Sequence, residues 1–567
     1  MSKKKIYLIL ILNLIFTLYS FGQNSVIKIK GLIDDNLYLK AEMSFIAKGI
    51  ESDSLYVFPF SGGKDSLGNP IIKISSIKVN AVNTSKKVKN SKIELYNVRN
   101  NDNITITYEF NLNDIFDWRK SFGYILFPSS SSDNSWYPDI YINGDRNYYK
   151  NFEVKLTYPK KLAILTSGYK TNTVRKKSQK TSAFKVEDIR YFALNAGWDF
   201  VVNSIKTNKT EIFYFCPKDL TDVFSNVAQT ASNIIAWYES VYGFFPLKHV
   251  GIVIGHKKWQ GGFPTENVFY IHQGNLDTSF LQWITSHELG HYYWGYHVKS
   301  DGLSPLMLSS GIWIDHLYLS EAYKLSLEDT WNSGAYRAGM MERYLETYLS
   351  NVEQQVGLPA EQYKKLNFDY NSNISHGKAS VGMYLISREI GFKNFLNIQK
   401  DILKKYQGKQ LSTQNFIDYC TQNGHPFVKH FMKQWNNDNA IIEYELKNIK
   451  KLNKNNGWEY SFSIVKRGSV DYPIEIEVED KSGNVYLHKT QGNSKKEIVK
   501  GISNSEPLSF NLDPKGAVPM WNSSHPAIQL NYIRALKRAG HTQVANELAM
   551  SYLKKYPKSK RAKRIID

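Results

Sequence analysis

The chain is expected to fold as an α+β multidomain protein. Two observations predict this. Its 567 residues exceed what one hydrophobic core serves. The spacing of its apolar residues also switches along the chain, from two-residue alternation to helical spacing and back. Hydrophobic residues make up 42% and charged residues 22%, which is globular rather than disordered material.

The first element is an export signal, expected over residues 1–22. Lys3, Lys4 and Lys5 precede an apolar run from Ile6 to Tyr19, and Ser20-Phe21-Gly22 offers small residues for cleavage near Gly22/Gln23. No Cys follows, so no lipid anchor is expected. The run is short for a bilayer span, and no other stretch is long and apolar enough, so no transmembrane segment is expected after cleavage. The protein is therefore read as periplasmic or secreted.

Residues 23–205 read as a β-rich N-terminal domain. Val26–Lys30, Ile104–Tyr108 and Phe152–Leu156 alternate apolar and polar residues, with turn-forming clusters between them. Residues 206–440 read as mixed and helix-rich. Phe224, Val227, Ala228, Ala231, Ile234, Ile235, Tyr238 and Val241 recur at helical spacing behind Thr221, which is expected to cap. Val250–Gly255 and Asn267–His272 look like short buried strands. A second helix is expected from Thr278, capped there or at Asp277, through His291.

Alternation returns at 441–515, as in Pro473–Glu479, and predicts a small β-sandwich. Residues 516–567 read as a helical hairpin, Ala527–Ala539 and Thr542–Tyr556, broken at Gly540 and followed by a basic tail. One such pair is too short for a solenoid, so it reads as a terminal packing element.

The formal charge is +20. The expected export argues against nucleic acid as a partner, and a solvated basic surface near anionic envelope components is the simpler reading. Cys216 and Cys420 allow one bridge or two buried thiols. No GxSxG element and no Walker-type phosphate loop is present.

The segment that carries chemistry is His287-Glu288-Leu289-Gly290-His291. Two His one helical turn apart share a face, so their imidazoles can converge on one tetrahedral Zn²⁺. Glu288 is then placed to take the proton of a metal-bound water, the mechanics of a zincin motif.

Several motifs extend this pattern. Ile284–Gly295 contains the HExxH helix followed by Tyr-Tyr-Trp-Gly. Gly261-Gly-Phe-Pro-Thr-Glu-Asn267 precedes a strand and then that helix. Trp136-Tyr137-Pro138 and Tyr158-Pro159 with Thr166-Ser-Gly168 lie upstream. In these segments the sequence resembles the M1 family of zinc aminopeptidases over roughly residues 24–515. The resemblance implies a thermolysin-like catalytic domain between the two β domains. It also implies peptides or protein N-termini as partners, Zn²⁺ as cofactor with His287 and His291 as ligands, Glu288 as catalytic base, and Glu266 as the group that holds a substrate α-amine.

Three positions depart from the family pattern. Its third zinc ligand is a Glu in a WLNEGF-like segment. Counting without gaps, Leu308-Ser-Ser-Gly-Ile312 matches that segment and puts Ser310 at the ligand position. On a regular helix Asp315 faces elsewhere, while Glu321 returns to nearly the same face about 16 Å further along, so Glu321 is the better substitute. The family's oxyanion-stabilising Tyr matches Ser375 within Ile374–Val381, with Tyr370 or His376 as alternative donors. Pro264 stands in the GxMEN-like segment and offers no N–H to a substrate strand. Three functions follow: a zinc metallopeptidase of aminopeptidase type, impaired at these positions; a degenerate relative that binds peptides or partners without hydrolysis; or a structural envelope protein that uses the fold only as a scaffold.

Overall fold

The computed structural model describes residues 25–566, apart from 51–53, 59–68, 85–86, 90–91, 115–124, 130–133, 143–149, 300–304, 328–329, 331–337, 456 and 523–524. The expected export signal, residues 1–22, lies outside the described residues. Among those residues, no helix is long and apolar enough to cross a membrane. The chain is an α+β protein of several sheets and helices, divided into two compact units between Glu288 and Leu289.

The first unit begins with an eight-stranded sheet. Edge to edge it runs through Tyr169–Arg175, Gln179–Ile189, Lys150–Pro159, Ser25–Ile33, Tyr38–Ile46, Asn103–Asn111, Lys73–Val79 and Val82–Asn83. Strict alternation along Tyr38–Ile46 sends Leu39, Ala41, Met43 and Phe45 inward and leaves Lys40, Glu42 and Ile46 exposed. The core they enter includes Trp136, whose indole N–H donates to the Phe192 carbonyl at 2.8 Å.

A five-stranded sheet follows, built from β1 (Phe200–Lys206), β2 (Glu211–Pro217), β3 (His249–Ile254), β4 (Gly262–Thr265) and β5 (Val268–Ile271), in the order β1-β2-β3-β5-β4. β2, β3 and β5 are parallel neighbours, and the two edge strands are antiparallel to theirs. Val250 to Ile254 and all of β5 are buried, which explains their unbroken apolar runs. Helix α1 (Thr221–Tyr242) packs on β1 and β2, burying Phe224, Val227, Ala228, Ala231, Ile234, Ile235 and Tyr238. It ends at Gly243, whose φ of 90° suits a residue without Cβ. Thr221 is the first helical residue rather than its cap. Its hydroxyl donates back to the Lys218 carbonyl at 2.7 Å, and the N-cap position falls to Leu220, which has no side-chain cap. Helix α2 (Thr278–Gly290) carries the HExxH motif across the boundary between the units, and the Tyr238 hydroxyl ties α1 to it by donating to the Ser286 carbonyl at 2.7 Å.

The second unit contains α3 (Pro305–Tyr323), α4 (Ala338–Leu349), a π-helical stretch Asn371–Lys378 that runs into α5 (Ala379–Ile390), then α6 (Phe392–Lys405), α7 (Thr413–Gln422) and α8 (Phe427–Trp435). A β-sandwich follows. Its strands are β6 (Tyr444–Lys454), β7 (Gly457–Lys466), β8 (Glu475–Asp480), β9 (Val485–Lys489), β10 (Lys496–Ser503) and β11 (Pro507–Leu512), arranged in sheets β6-β7-β10 and β9-β8-β11. Tyr460 and Phe462 of one sheet meet Phe510 of the other at 5.8 and 5.6 Å.

The C-terminal pair is α9 (Pro526–Arg538) and α10 (Thr542–Lys555), with Gly540 at φ 90° between them. Within the basic tail Lys560–Ile566 forms α11, because Ala562 and Ile565 give it an apolar stripe that joins the core of the hairpin. Helix α9 packs on α4. Cys216 and Cys420 are two free, buried thiols, and burial pushes each up to about 12.

Candidate active site

The motif residues fall on both sides of the boundary, so each half is described within its own unit. In the first unit, His287 and Glu288 are 5% and 1% exposed at the end of α2, with the Trp283 ring 5.7 Å from His287. Gly262 of β4 faces Glu288. A Cβ built there would stand 2.9 Å from Glu288 Oε1 and 2.4 Å from the Tyr270 carbonyl oxygen, so only glycine lets the strand and the carboxylate approach.

β4 is the outer strand of its sheet. The His272 N–H donates to the Gly261 carbonyl, and Phe263 pairs with Tyr270, so the backbone groups of Gly262 and Pro264 point away from β5. This free edge keeps the Gly262 N–H and carbonyl but lacks an N–H at Pro264, the usual place for proline in a sheet.

The two-residue turn Glu266-Asn267 joins β4 to β5, with Asn267 at φ 60°. Glu266 is buried and already has a cation. Arg190 Nε donates to its Oε1 at 2.8 Å, and the Arg190 backbone N–H donates to the same oxygen at 3.3 Å. No local sequence signal links Arg190 to the Glu266 segment.

A histidine–aromatic cluster stands beside β4, and the sequence reading did not single it out. His256 stacks on Trp259 at 4.2 Å, and the His256 N–H donates to His272 Nδ1 at 2.8 Å. The Lys258 and Trp259 N–H groups reach His256 Nδ1 at 3.1 and 3.3 Å. Both Nδ1 atoms are acceptors, so each neutral ring carries its proton on Nε2 and has no lone pair left for a metal. Burial brings the His272 imidazole down to about 4.

In the second unit, α2 has closed at Gly290. The Tyr292 and Tyr293 N–H groups bond the carbonyls of Leu289 and Gly290 in tight turns, so His291 lies in the turn after the helix rather than within it. His291 is buried. Gly290 and Gly311 of α3 face each other: a Cβ on Gly290 would be 3.3 Å from the Gly311 carbonyl oxygen, and one on Gly311 would be 3.5 Å from His291 Nδ1. Gly311 thus rests on the His291 ring, and buried Ser310 precedes it on the same helix.

Helix α3 is continuous from 305 to 323 and leaves the carboxylates where helical geometry puts them. Asp315 is buried and accepts from His316 Nδ1 at 2.6 Å. Glu321 is exposed near the far end, about 16 Å along the axis from Ser310.

Ser375 is buried within the π-helical stretch. The Tyr370 hydroxyl donates to the Gln355 carbonyl and accepts from the Leu358 N–H, both at 2.8 Å, and burial raises its pKa. His376 Nδ1 donates to the Asn371 carbonyl at 2.7 Å. Lys378, at the end of this stretch, is fully buried and ion-paired with Glu353.

Among the described residues, no group of three or more His, Cys, Asp or Glu side chains is gathered that could hold a metal ion. Two imidazoles and a neutral serine hydroxyl do not make the ligand set of a stable zinc site. Among the described residues, the side chains present therefore do not fit zinc.

The fold resembles that of a solved aminopeptidase. The crystal structure of Legionella pneumophila aminopeptidase A in complex with aspartic acid matches with a TM-score of 0.65 and 14% sequence identity, over 97% of this chain and 66% of that one. This chain thus spans just under two-thirds of that protein's length, and at this identity the likeness is one of fold. No family model matches the sequence, and no curated protein matches it.

Proposed function

We propose that this chain is an exported, M1-like protein of aminopeptidase fold that engages peptides or protein N-termini and no longer hydrolyses them through a bound zinc ion. The observation that carries this reading is Ser310. It stands at the position where the M1 resemblance calls for an acidic ligand, next in sequence to Gly311, which lies against His291, and neither Asp315 nor Glu321 can replace it on a regular α3. One further feature points the same way. The Tyr370 hydroxyl is committed to backbone partners, and losing one oxyanion donor costs about 10²–10³ in rate. Peptide engagement is supported by the open edge of β4, where the Gly262 N–H and carbonyl can add an extended strand.

The burial of His287, Glu288 and His291 favours a second reading, an impaired zinc hydrolase. One experiment separates the two. Bound zinc is measured by mass spectrometry and aminoacyl-anilide hydrolysis is assayed, in the wild-type chain, Ser310→Glu and Glu288→Gln. The proposal expects no stoichiometric zinc and no turnover in wild type, and zinc uptake in Ser310→Glu. Stoichiometric zinc in wild type with a rate that Glu288→Gln abolishes would sink it. Wild-type binding of a fluorescent peptide, read by anisotropy, tests engagement; no binding at millimolar peptide removes that half of the reading.

A further inference from the structure

The β-sandwich presents an unusual outer face. Strand pairing aligns Leu452, Glu459 and Ile502 across sheet β6-β7-β10, and Lys450, Ser461 and Lys500 in the next row. Ser463 then pairs with Ile498, and Val465 with Lys496. Because side chains alternate, these residues share one face, while Tyr460 and Phe462 turn inward to the sandwich core. The first two rows line a groove of about 920 Å³, with Lys450 and Leu452 of β6, Glu459 and Ser461 of β7, and Lys500 and Ile502 of β10 around it.

Its apolar side chains are far more exposed than a soluble surface needs. Ile498 is 64% exposed, Ile502 66% and Leu452 54%. They alternate with Lys450, Lys496 and Lys500, which are exposed and make no ion pair among the described residues. Two carboxylates share this face, and each has a cation: Glu459 lies 3.9 Å from Lys454, and Glu445, in the row of Val465 and Lys496, pairs with Lys447 at 3.1 Å and Arg467 at 2.9 Å. The face is therefore cationic and apolar at once, on a chain whose formal charge is +20.

We infer that this face docks on an anionic lipid surface. The interleaving matches the boundary between headgroups and acyl chains. Isoleucine and leucine side chains enter the apolar layer, while each neighbouring lysine extends its ammonium group to the phosphates. An anionic bilayer also draws unpaired lysines electrostatically. The occupant is chosen by charge complementarity, because the exposed apolar side chains stand in alternation with the exposed lysines Lys450, Lys496 and Lys500 over all three strands.

The test is vesicle sedimentation of the chain from Gln23 onward, so that the apolar N-terminal run does not itself insert. Wild type is expected to partition onto equimolar phosphatidylglycerol and phosphatidylcholine vesicles, not onto phosphatidylcholine alone, and to release as salt is raised. Lys450→Glu/Lys500→Glu and Ile498→Ser/Ile502→Ser are each expected to weaken binding by about tenfold or more with unchanged melting temperature. Lys560→Glu/Lys563→Glu on the basic α11 is expected to leave it intact. The inference is overturned if wild type ignores the anionic vesicles, or if neither sandwich pair weakens binding. It is equally overturned if the pairs instead abolish concentration-dependent self-association in sedimentation velocity while no lipid binding occurs, which would make the face a contact between copies.

Discussion

Arg190 grips Glu266 through both its side-chain Nε and its own backbone N–H, on the same carboxylate oxygen. The residue expected from the M1 resemblance to meet a substrate amine thus enters any encounter already neutralised. Removing one member of a buried pair leaves the other charge uncompensated. Arg190→Leu should cost about 3 kcal/mol in urea unfolding, and Arg190→Leu/Glu266→Gln should recover most of it. A single-variant loss indistinguishable from zero would mean that the pair is incidental.

Gly262 brings β4 against Ile284 and Glu288 of the motif helix. Gly262→Ala must displace either the Tyr270 carbonyl or the Glu288 carboxylate, at 2.4 and 2.9 Å from the new methyl. Overpacking of this kind costs about 1–3 kcal/mol. Adding Glu288→Ala should not restore stability, because the tighter clash is with backbone. Thermal melting of the single and double variants decides this.

His272 makes stability depend on pH. Its imidazole is held at about 4, against an ordinary 6.5, by burial and the nearby His256. The unfolded chain therefore binds the proton first. The stability this group contributes is full above pH 6.5 and is lost as pH falls towards 4, by roughly 3 kcal/mol in all. His272→Gln keeps an acceptor for the His256 N–H and cannot titrate. Its unfolding free energy should fall by that much less than wild type between pH 7 and 4. Parallel curves for the two proteins would contradict the assignment.

Glu342 of α4 anchors the C-terminal helices. It is 1% exposed, with Arg534 at 3.3 Å and Arg538 at 3.1 Å. Burial raises its carboxyl pKa despite the pull of these arginines. Glu342→Ala should lower stability by about 1–2 kcal/mol, because Arg534 and Arg538 are 29% and 49% exposed and stay hydrated when the carboxylate is gone. It should also make the segment between the sandwich and α9 the first site of limited proteolysis. Unchanged cleavage would show that apolar packing alone holds α9 to α4.

Much of the secondary structure was legible because periodicity is local information. The apolar positions from Phe224 to Tyr238 name the buried face of α1 directly, and the unbroken runs at 250–254 and 268–271 mark strands covered on both faces. Ends were less legible. Thr221 looks like a cap, but its hydroxyl turns to Lys218, and the motif helix stops at Gly290 rather than His291. Both depend on a few hydrogen bonds that periodicity does not encode. The tail's positive charge likewise hid the short stripe of Ala562 and Ile565.

By itself, then, the sequence determined the α+β order of elements, the HExxH motif at His287–His291 and the serine at 310. Each is a matter of residue type and spacing along one stretch of chain. Only the tertiary structure decided that Arg190 closes on Glu266, that Gly262 admits Glu288, that Gly311 lies against His291, and that the Tyr370 hydroxyl is already spent. These pairings join segments remote in sequence. Such contacts are set by how strands and helices pack, where van der Waals fit and hydrogen-bond satisfaction choose the neighbour and chain distance carries no information.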